Sequence, residues 1–390
     1  MSLLGKEHPI IREIYEYKRK RSQEIGCNNI FDFSTSSPII GAGDFVRRAI
    51  LNILENPYVY SKGDFSHPAG DYEAREEIAE YINARYNSSL TSDNLYMTSG
   101  SLAALCICIK AIVQPGDEII TFSPCAPEYS RLIREAGAKP VLMNTKEDTF
   151  QIDFPRLWEA VTNKTRAVII NSPCNPTGVV FPKEAIISLC RILEAMSKQH
   201  KHPIYIISDD TYRDFIFDDV RVPYIPNYYA NTFVCYSYGT AFSLPGECIG
   251  YALVSENMEN YKQVYEAVCS AAMSIGQVCV SSLMQQLAAR WKEGTADTFF
   301  YRRNRDMLYD GLIQIGYKCV RPMGTCYLFM KSLEEDTQSF CERARKYEIL
   351  MVPGGIFGCP GYVRLAYSVD TEIIRSSLKA FERLAREYGL

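Results

Sequence analysis

The chain contains no long apolar run and no long run of one charge. No apolar segment approaches the ~20 residues that a membrane-spanning helix needs. The 42 Lys and Arg residues are nearly balanced by 46 Asp and Glu residues, which gives a net charge of −4. The N-terminus, MSLLGKEHPI, lacks the basic start and apolar core of a secretory signal. We therefore expect a cytoplasmic protein that binds neither nucleic acid nor membrane.

Metal ligands and paired cysteines are also scarce. The sequence has four histidines, and its 14 cysteines form no C-x-x-C pair and no Cys/His cluster with zinc spacing. The cysteines stand in apolar runs such as LCICIK and FVCYSY, where a free thiol behaves as a small hydrophobic side chain. The sequence therefore predicts no metal site and no disulfide framework, as in a protein of a reducing compartment.

The chain does contain an alternation of short apolar runs and longer amphipathic segments. The apolar runs are EIITFS, PVLM, RAVIIN, IYIISD, NTFVCYSY and IGYALVS. Buried strands alternating with helices predict an α/β fold with a mainly parallel sheet covered on both faces. The pattern changes after about residue 288. We therefore predict a large domain over 45–290 and a smaller α/β domain built from 1–44 and 291–390.

Two motifs stand at the ends of predicted strands, where parallel sheets bind ligands. The segment NSPCNPTG (171–178) follows an apolar strand, and IISDDTYRD closes the next strand with a carboxylate pair. Such a pair suits a buried cationic partner. Each motif also has a purely structural interpretation, because Asn-Pro-Thr-Gly is favourable turn chemistry and Asp209 or Asp210 could cap a helix.

Taken together, six segments resemble the class I and II aminotransferases, fold-type I enzymes that use pyridoxal phosphate (PLP). In the family's order and at its spacing they are MTSGSLAAL, SPCAPEY, NSPCNPTG, SDDTYRDFIF, SYGTAFSLPGECIGY and GYVRLAY. The resemblance implies a large domain with a mainly parallel mixed sheet between helices, plus a smaller C-terminal α/β domain. It also implies amino-group transfer between amino acids and 2-oxo acids, and a homodimer in which the active sites form at the subunit interface.

The resemblance implies roles for four residues around the cofactor ring and the substrate. Asp209 would pair with the pyridinium nitrogen, Asn175 would donate to the ring hydroxyl oxygen, and Tyr212 would lie near that oxygen. Arg364 would grip the substrate carboxylate with its planar guanidinium. Outside these roles, Asn175 could be a turn former, and Arg364 could be a surface charge or an interdomain salt bridge.

The resemblance also implies a phosphate site at the start of a helix. Backbone amides around Gly100, Ser101 and Leu102 would cradle the phosphate. Ser237, three residues before the family's Schiff-base lysine, would contact it as well.

The sequence departs from the family at the two positions whose positively charged side chains would bind the cofactor. The Schiff-base lysine falls on Thr240, and the phosphate-binding arginine falls on Cys248. No lysine occurs between Lys201 and Lys262 that could stand in. Threonine cannot form a Schiff base, and each charge-assisted hydrogen bond lost from a phosphate costs roughly 1.5–3 kcal/mol. We expect Cys248 to be a buried, inert thiol.

Three further positions depart from the family pattern. Ala126 stands where an aromatic ring should stack on the cofactor, which costs on the order of 1–3 kcal/mol of stacking energy. Phe65 stands where a tyrosine should reach the neighbouring subunit's phosphate, and Ser37 replaces an asparagine of the N-terminal substrate loop. The sequence therefore predicts a degenerate site that lacks covalently bound PLP.

Three functions remain open on the sequence. The chain could be an active PLP-dependent aminotransferase or lyase that uses a recruited group. It could be a non-catalytic subunit paired with an active paralogue. It could reuse the pocket without PLP, with Thr240, Cys248 and Tyr212 as candidate reactive groups. We favour an inactive or altered homologue that still binds an amino acid or a 2-oxo acid, because Asp209, Asn175 and Arg364 all remain.

Overall fold

The structure, a computed structural model, describes residues 10–36, 41, 43–56, 67–291 and 298–390. These residues contain twelve α-helices: α1 (Ile10–Ile25), α2 (Asp44–Glu55), α3 (Tyr72–Tyr86), α4 (Ser101–Ile112), α5 (Pro127–Glu135), α6 (Phe154–Ala160), α7 (Lys183–His200), α8 (Tyr261–Ser274), α9 (Ser282–Ala289), α10 (Thr298–Ile315), α11 (Thr337–Arg345) and α12 (Thr371–Arg386). Several of these helices follow directly after a capping residue. Its side chain accepts a hydrogen bond from a backbone amide of the first turn, which would otherwise lack an acceptor. These capping residues are Asp71, Asp153, Ser281, Asp336 and Asp370.

The same residues contain twelve strands: β1 (Phe31–Asp32), β2 (Leu95–Thr98), β3 (Glu118–Ser123), β4 (Lys139–Asn144), β5 (Thr165–Asn171), β6 (Tyr205–Asp209), β7 (Thr232–Ser237), β8 (Gly250–Val254), β9 (Tyr327–Lys331), β10 (Ile349–Leu350), β11 (Val352–Pro353) and β12 (Tyr362–Ala366). Seven of them form one sheet in the order β2-β8-β7-β6-β5-β3-β4. Strand β8 runs opposite in direction to the other six strands of this sheet.

Alternation along the central strands explains why helices cover both faces of this sheet. On β5, Ala167 and Ile169 join one hydrophobic core, whereas Val168 and Ile170 join another. Successive side chains of a strand point to opposite faces, so a strand of apolar residues has to be buried on both sides. The predicted α/β fold, with a mainly parallel mixed sheet between helices, is confirmed.

A smaller unit follows the large sheet in the chain. Strands β11, β12 and β9 form an antiparallel sheet, and β12 is its central strand. The short β1 pairs in parallel with β10, and Phe33 packs in a core that includes Phe381 of α12. The segment after α1 therefore lies against the C-terminal unit. The boundaries at 45–290, 1–44 and 291–390 stay a prediction.

The described helices include none that is long and apolar enough to cross a membrane. Within the described residues, no group of three or more histidine, cysteine or acidic side chains is placed to hold a metal ion. Among the described residues, no two cysteines form a disulfide.

Candidate functional site

The carboxyl ends of three neighbouring parallel strands form the floor of the site. Asn171 at the end of β5 lies opposite Asp209 at the end of β6, and Asp209 lies opposite Cys235 of β7. The Asn171 side chain donates to the Asp209 carbonyl over 2.9 Å and accepts from the Asn175 backbone amide over 2.8 Å. The two motifs that the sequence singles out are therefore hydrogen-bonded to each other at one edge of the sheet.

Asp209 is buried and already receives three hydrogen bonds. Its Oδ1 accepts from the Thr211 hydroxyl at 2.6 Å and from the Thr211 amide at 3.2 Å, and its Oδ2 accepts from the Tyr129 hydroxyl at 2.6 Å. Burial raises the pKa of Asp209, and the bonds from Thr211 and Tyr129 oppose that rise. The helix-cap interpretation of Asp209 is wrong, because the chain after it continues as turns rather than as a helix.

Asp210 has the buried cationic partner that a carboxylate pair predicts. Its side chain lies 3.2 Å from the Arg213 guanidinium, which also contacts the Tyr251 hydroxyl and stacks over the Tyr236 ring. Burial raises the pKa of Asp210 to about 6, although Arg213 lowers it. Like Asp209, Asp210 does not cap a helix. It is paired to Arg213, whereas the partners of Asp209 are the hydroxyls of Tyr129 and Thr211 and one backbone amide.

Arg364 lies on the central strand of the small sheet and reaches across to the large one. It is 6 % exposed, and it donates to Asn175 Oδ1 over 3.1 Å and to the Ser34 carbonyl over 3.0 Å. Its guanidinium carbon lies 4.3 Å from the Tyr327 ring centroid and 4.9 Å from that of Phe357. Its Nε is buried without a hydrogen-bond acceptor among the described residues.

Two alternative interpretations of Arg364 are thereby wrong. The side chain is buried and so is not a surface charge. None of the ion pairs formed by the described residues includes it, and its contact across the domains is with a neutral amide. Asn175 is part of the turn and also has a second role, because its side-chain oxygen accepts a hydrogen bond from the Arg364 guanidinium.

Tyr212 belongs to a short chain of hydroxyls beside Arg364. Its hydroxyl lies 3.4 Å from that of Tyr327, which lies 2.7 Å from the Ser36 hydroxyl. Burial raises the pKa of both tyrosines, so both stay protonated at neutral pH and can donate to a ligand. Ser37 itself lies outside the described residues.

The predicted phosphate turn lies at the start of α4. Gly100 precedes α4 with a φ of +83°, a conformation that glycine adopts without strain. A Cβ placed on Gly100 would lie 3.5 Å from Ser237 Oγ and 4.0 Å from Cys248 Cβ. Ser101 and Leu102 open the helix, as predicted. Ser237 and Cys248, the predicted arginine position, therefore both lie beside this turn.

Cys248 is exposed, so the prediction of a buried thiol is wrong for this chain taken alone. The reason is its place in the run Pro245–Cys248, all of which is exposed before the chain enters β8. Its thiol lies 3.6 Å from the Pro245 carbonyl.

Thr240 lies in the turn after β7 and is half-buried. It lines a small cavity together with Thr211, Asp214 and Tyr236.

Ala126 immediately precedes α5 and is also half-buried, and as an alanine it offers no ring to stack on a ligand. Phe65 lies outside the described residues.

Sequence reasoning missed Tyr129, Thr211 and Tyr327. Tyr129 lies on α5 and meets Asp209 only because the first turn of that helix folds over the sheet edge. Thr211 stands two residues after Asp209, and a hydroxyl at that distance from a carboxylate is a recognisable local hydrogen-bonding signal. Tyr327 carries no such local signal.

Comparisons with known proteins agree with this architecture. Residues 61–381 match the family model for aminotransferase class I and II. The putative aminotransferase YugH of Bacillus subtilis is 32% identical over 387 residues, with 92% of this chain and 95% of that protein covered. The aspartate/prephenate aminotransferase of Thermus thermophilus is 33% identical over 342 residues, with 84% of each covered.

Solved structures agree as well. An aminotransferase from Eubacterium rectale is 42% identical, with a TM-score of 0.96 and coverage of 99% of this chain and 98% of that one. The aspartate aminotransferase from Thermus thermophilus with maleate is 28% identical, with a TM-score of 0.85 and coverage of 98% and 99%.

The hydrogen bond from Tyr129 to Asp209 gives a pH-dependent prediction. Tyr129→Phe removes a donor that lowers the pKa of Asp209, so the variant's folded-state pKa should rise further. We expect the free energy of unfolding to fall by about 1–3 kcal/mol at neutral pH, the worth of a hydrogen bond to a charged group. Because the wild type has the lower folded-state pKa, this loss should be complete above the folded-state pKa of the variant and should disappear at low pH.

Urea unfolding at a series of pH values measures the effect. Tyr205→Phe is the matched control, because Tyr205 is half-buried on the same strand as Asp209 and forms no hydrogen bond to a carboxylate among the described residues. A loss for Tyr129→Phe that stays constant with pH would show that the hydroxyl does not act through the charge of Asp209.

Proposed function

The chain belongs to the class I and II aminotransferases, and from that premise we propose that it binds a small carboxylate without the family's covalent chemistry. The ligand class is an amino acid or a 2-oxo acid, which is the class that the family's reaction handles. The family uses PLP to transfer amino groups between such acids. The proposal is that this chain keeps the carboxylate grip and has lost the covalent cofactor.

The observation that carries the proposal is the state of Arg364. A buried guanidinium is expensive to desolvate unless a partner balances its charge. The partners of Arg364 among the described residues are a neutral amide oxygen, a backbone carbonyl and two aromatic rings. These groups orient the planar fork without neutralising it, and a ligand carboxylate would supply the missing charge. The similar Thermus thermophilus structure was solved with maleate, a dicarboxylate, which supports this ligand class.

The residues present do not fit PLP. The cofactor carries an aldehyde for a lysine, a ring nitrogen for a carboxylate and a phosphate for a cation. Thr240 offers a hydroxyl at the lysine position, and Cys248 offers a thiol at the arginine position. Both oxygens of Asp209 already receive hydroxyl donors. Three separate contacts to the same group are therefore absent or occupied, and we derive no reaction step through it.

The chain's own residues can bind and orient a carboxylate. Asn175 uses its side-chain oxygen to fix one arm of the Arg364 guanidinium, which leaves its amide nitrogen as a donor for the ligand. Tyr212 and Tyr327 remain protonated beside that guanidinium, because burial raises the pKa of each. Together these groups form a donor-rich site, which suits an anionic ligand.

Loss of carboxylate binding on changing Arg364 tests the proposal. Titration calorimetry with aspartate, maleate and 2-oxoglutarate should show binding to the wild type. Arg364→Ala should weaken it about a hundredfold and Arg364→Lys about tenfold, because lysine keeps the charge but loses the two-armed geometry. Arg386→Lys, at an exposed arginine of α12, is the control and should leave binding unchanged. Equal binding by wild type and Arg364→Ala, or binding by neither, would contradict the proposal.

A two-fold dimer is the assembly that we propose. Leu102, Met273, Ile275 and Val278 are exposed apolar side chains. They lie near the phosphate turn, because Gln277 bonds to Ser99 and its carbonyl accepts from Tyr96. Exposed apolar side chains grouped beside a site favour a subunit interface. This surface also suits the second candidate function, a non-catalytic subunit paired with an active paralogue.

Sedimentation velocity at micromolar concentration should therefore find a dimer of the purified chain. Met273→Glu should shift the sedimenting species towards the monomer, because a charge in an apolar contact loses its hydration. Lys262→Glu, at the other end of α8, is the control. A monomeric wild type would contradict the homodimer. The remaining possibility would then be a dimer with an active paralogue.

A further inference from the structure

One threonine hydroxyl connects the two ends of the former cofactor site. Thr211 Oγ1 lies 2.6 Å from the hydroxyl of Ser101, at the start of α4, and 2.6 Å from Oδ1 of Asp209. Ser101 belongs to the predicted phosphate turn, and Asp209 is the predicted partner of the ring nitrogen. A pyridine ring with a phosphate arm would have to span the distance from Ser101 to Asp209. The Thr211 side chain already bridges these two residues.

The Asp209 oxygen that faces Thr211 has no acceptor position left for a ring nitrogen. Asp209 Oδ1 accepts from both the hydroxyl and the backbone amide of Thr211, which fills the two acceptor positions of that oxygen. Oδ2 accepts from Tyr129. The Thr211 hydroxyl donates to the carboxylate, so it can accept the Ser101 hydroxyl, and all three groups are satisfied without a ligand.

We infer that Thr211 is the residue that excludes a protonated pyridine ring from this site, independently of the missing lysine and arginine. A ring nitrogen could reach Asp209 Oδ1 only by displacing the Thr211 hydroxyl, which would lose its bond to a buried carboxylate. This inference goes beyond the proposed function, because it concerns Asp209 and the ring position rather than Arg364. Restoring Lys at 240 and Arg at 248 would therefore leave one barrier in place.

Pyridoxamine 5′-phosphate is the probe that separates this barrier from the missing lysine, because it has no aldehyde and needs no Schiff base. The background is Cys248→Arg, which returns a cation to the phosphate turn. On that background, Thr211→Val removes the hydroxyl and keeps the branched shape. Thr211→Ser keeps the hydroxyl, and Thr211→Ala removes both hydroxyl and bulk. The backbone donor to Asp209 is present in all of them.

Equilibrium dialysis should show that Thr211→Val and Thr211→Ala each tighten binding of the probe by about tenfold or more, whereas Thr211→Ser changes it by less than about threefold. Benzyl phosphate, which lacks the ring nitrogen, should bind all four proteins within about threefold of one another. Circular dichroism and thermal melting confirm that each variant is folded. If Thr211→Val fails to fold, the comparison of Thr211→Ala with Thr211→Ser decides the question with the same two probes, because these two variants differ only in the hydroxyl.

Three outcomes would overturn the inference. If Thr211→Ala tightens the binding of pyridoxamine 5′-phosphate and a folded Thr211→Val does not, the size of the Thr211 side chain rather than its hydroxyl excludes the ring. An equal gain for benzyl phosphate would show that the effect does not involve the ring nitrogen. Absence of measurable pyridoxamine 5′-phosphate binding in every folded variant would show that Thr211 is not the barrier. None of these outcomes bears on carboxylate binding at Arg364, so the proposed function stands or falls separately.

Discussion

The buried guanidinium of Arg364 is the constraint on which the rest of the site depends. It stands on the central strand of the small sheet, donates to Asn175 at the edge of the large sheet, and donates to the carbonyl of Ser34 in the segment after β1. One side chain therefore holds three separate parts of the chain around a common point. Its charge is balanced by no carboxylate of the described residues, which is the basis of the proposed carboxylate site.

The two ends of the proposed site differ in their chemistry. At the substrate end, the cation, its orienting amide and two protonated tyrosines remain together. At the predicted cofactor end, Thr240 and Cys248 stand where the resemblance implies a lysine and an arginine, and Asp209 is engaged by neighbouring hydroxyls. A site that had merely decayed would leave a buried carboxylate unsatisfied, at a cost of about 1–3 kcal/mol or more. Asp209 instead accepts hydrogen bonds from Tyr129 and Thr211.

Much of the fold and part of the site could be predicted from the sequence. Strand and helix periodicity, together with turn chemistry at 171–178, predicts the central sheet and the edge that carries Asp209 and Asn175. The sequence predicts a buried Cys248, whereas the structure exposes it. The course of the loop before β8 decides this exposure, and the neighbouring apolar strand does not reveal it. Tyr129 and Tyr327 approach the site from other elements, and such contacts depend on packing angles that no local pattern encodes.

The most direct test of the central claim is whether PLP forms a covalent bond at a defined place in this chain. The purified protein is mixed with one equivalent of PLP, treated with borohydride to trap any Schiff base, and examined by intact mass and peptide mapping. Because Thr240 cannot supply an amine, the account predicts no stoichiometric adduct and only trace labelling spread over surface lysines. One adduct per chain at a single lysine would contradict it, because another residue would then have taken over the role of the missing one.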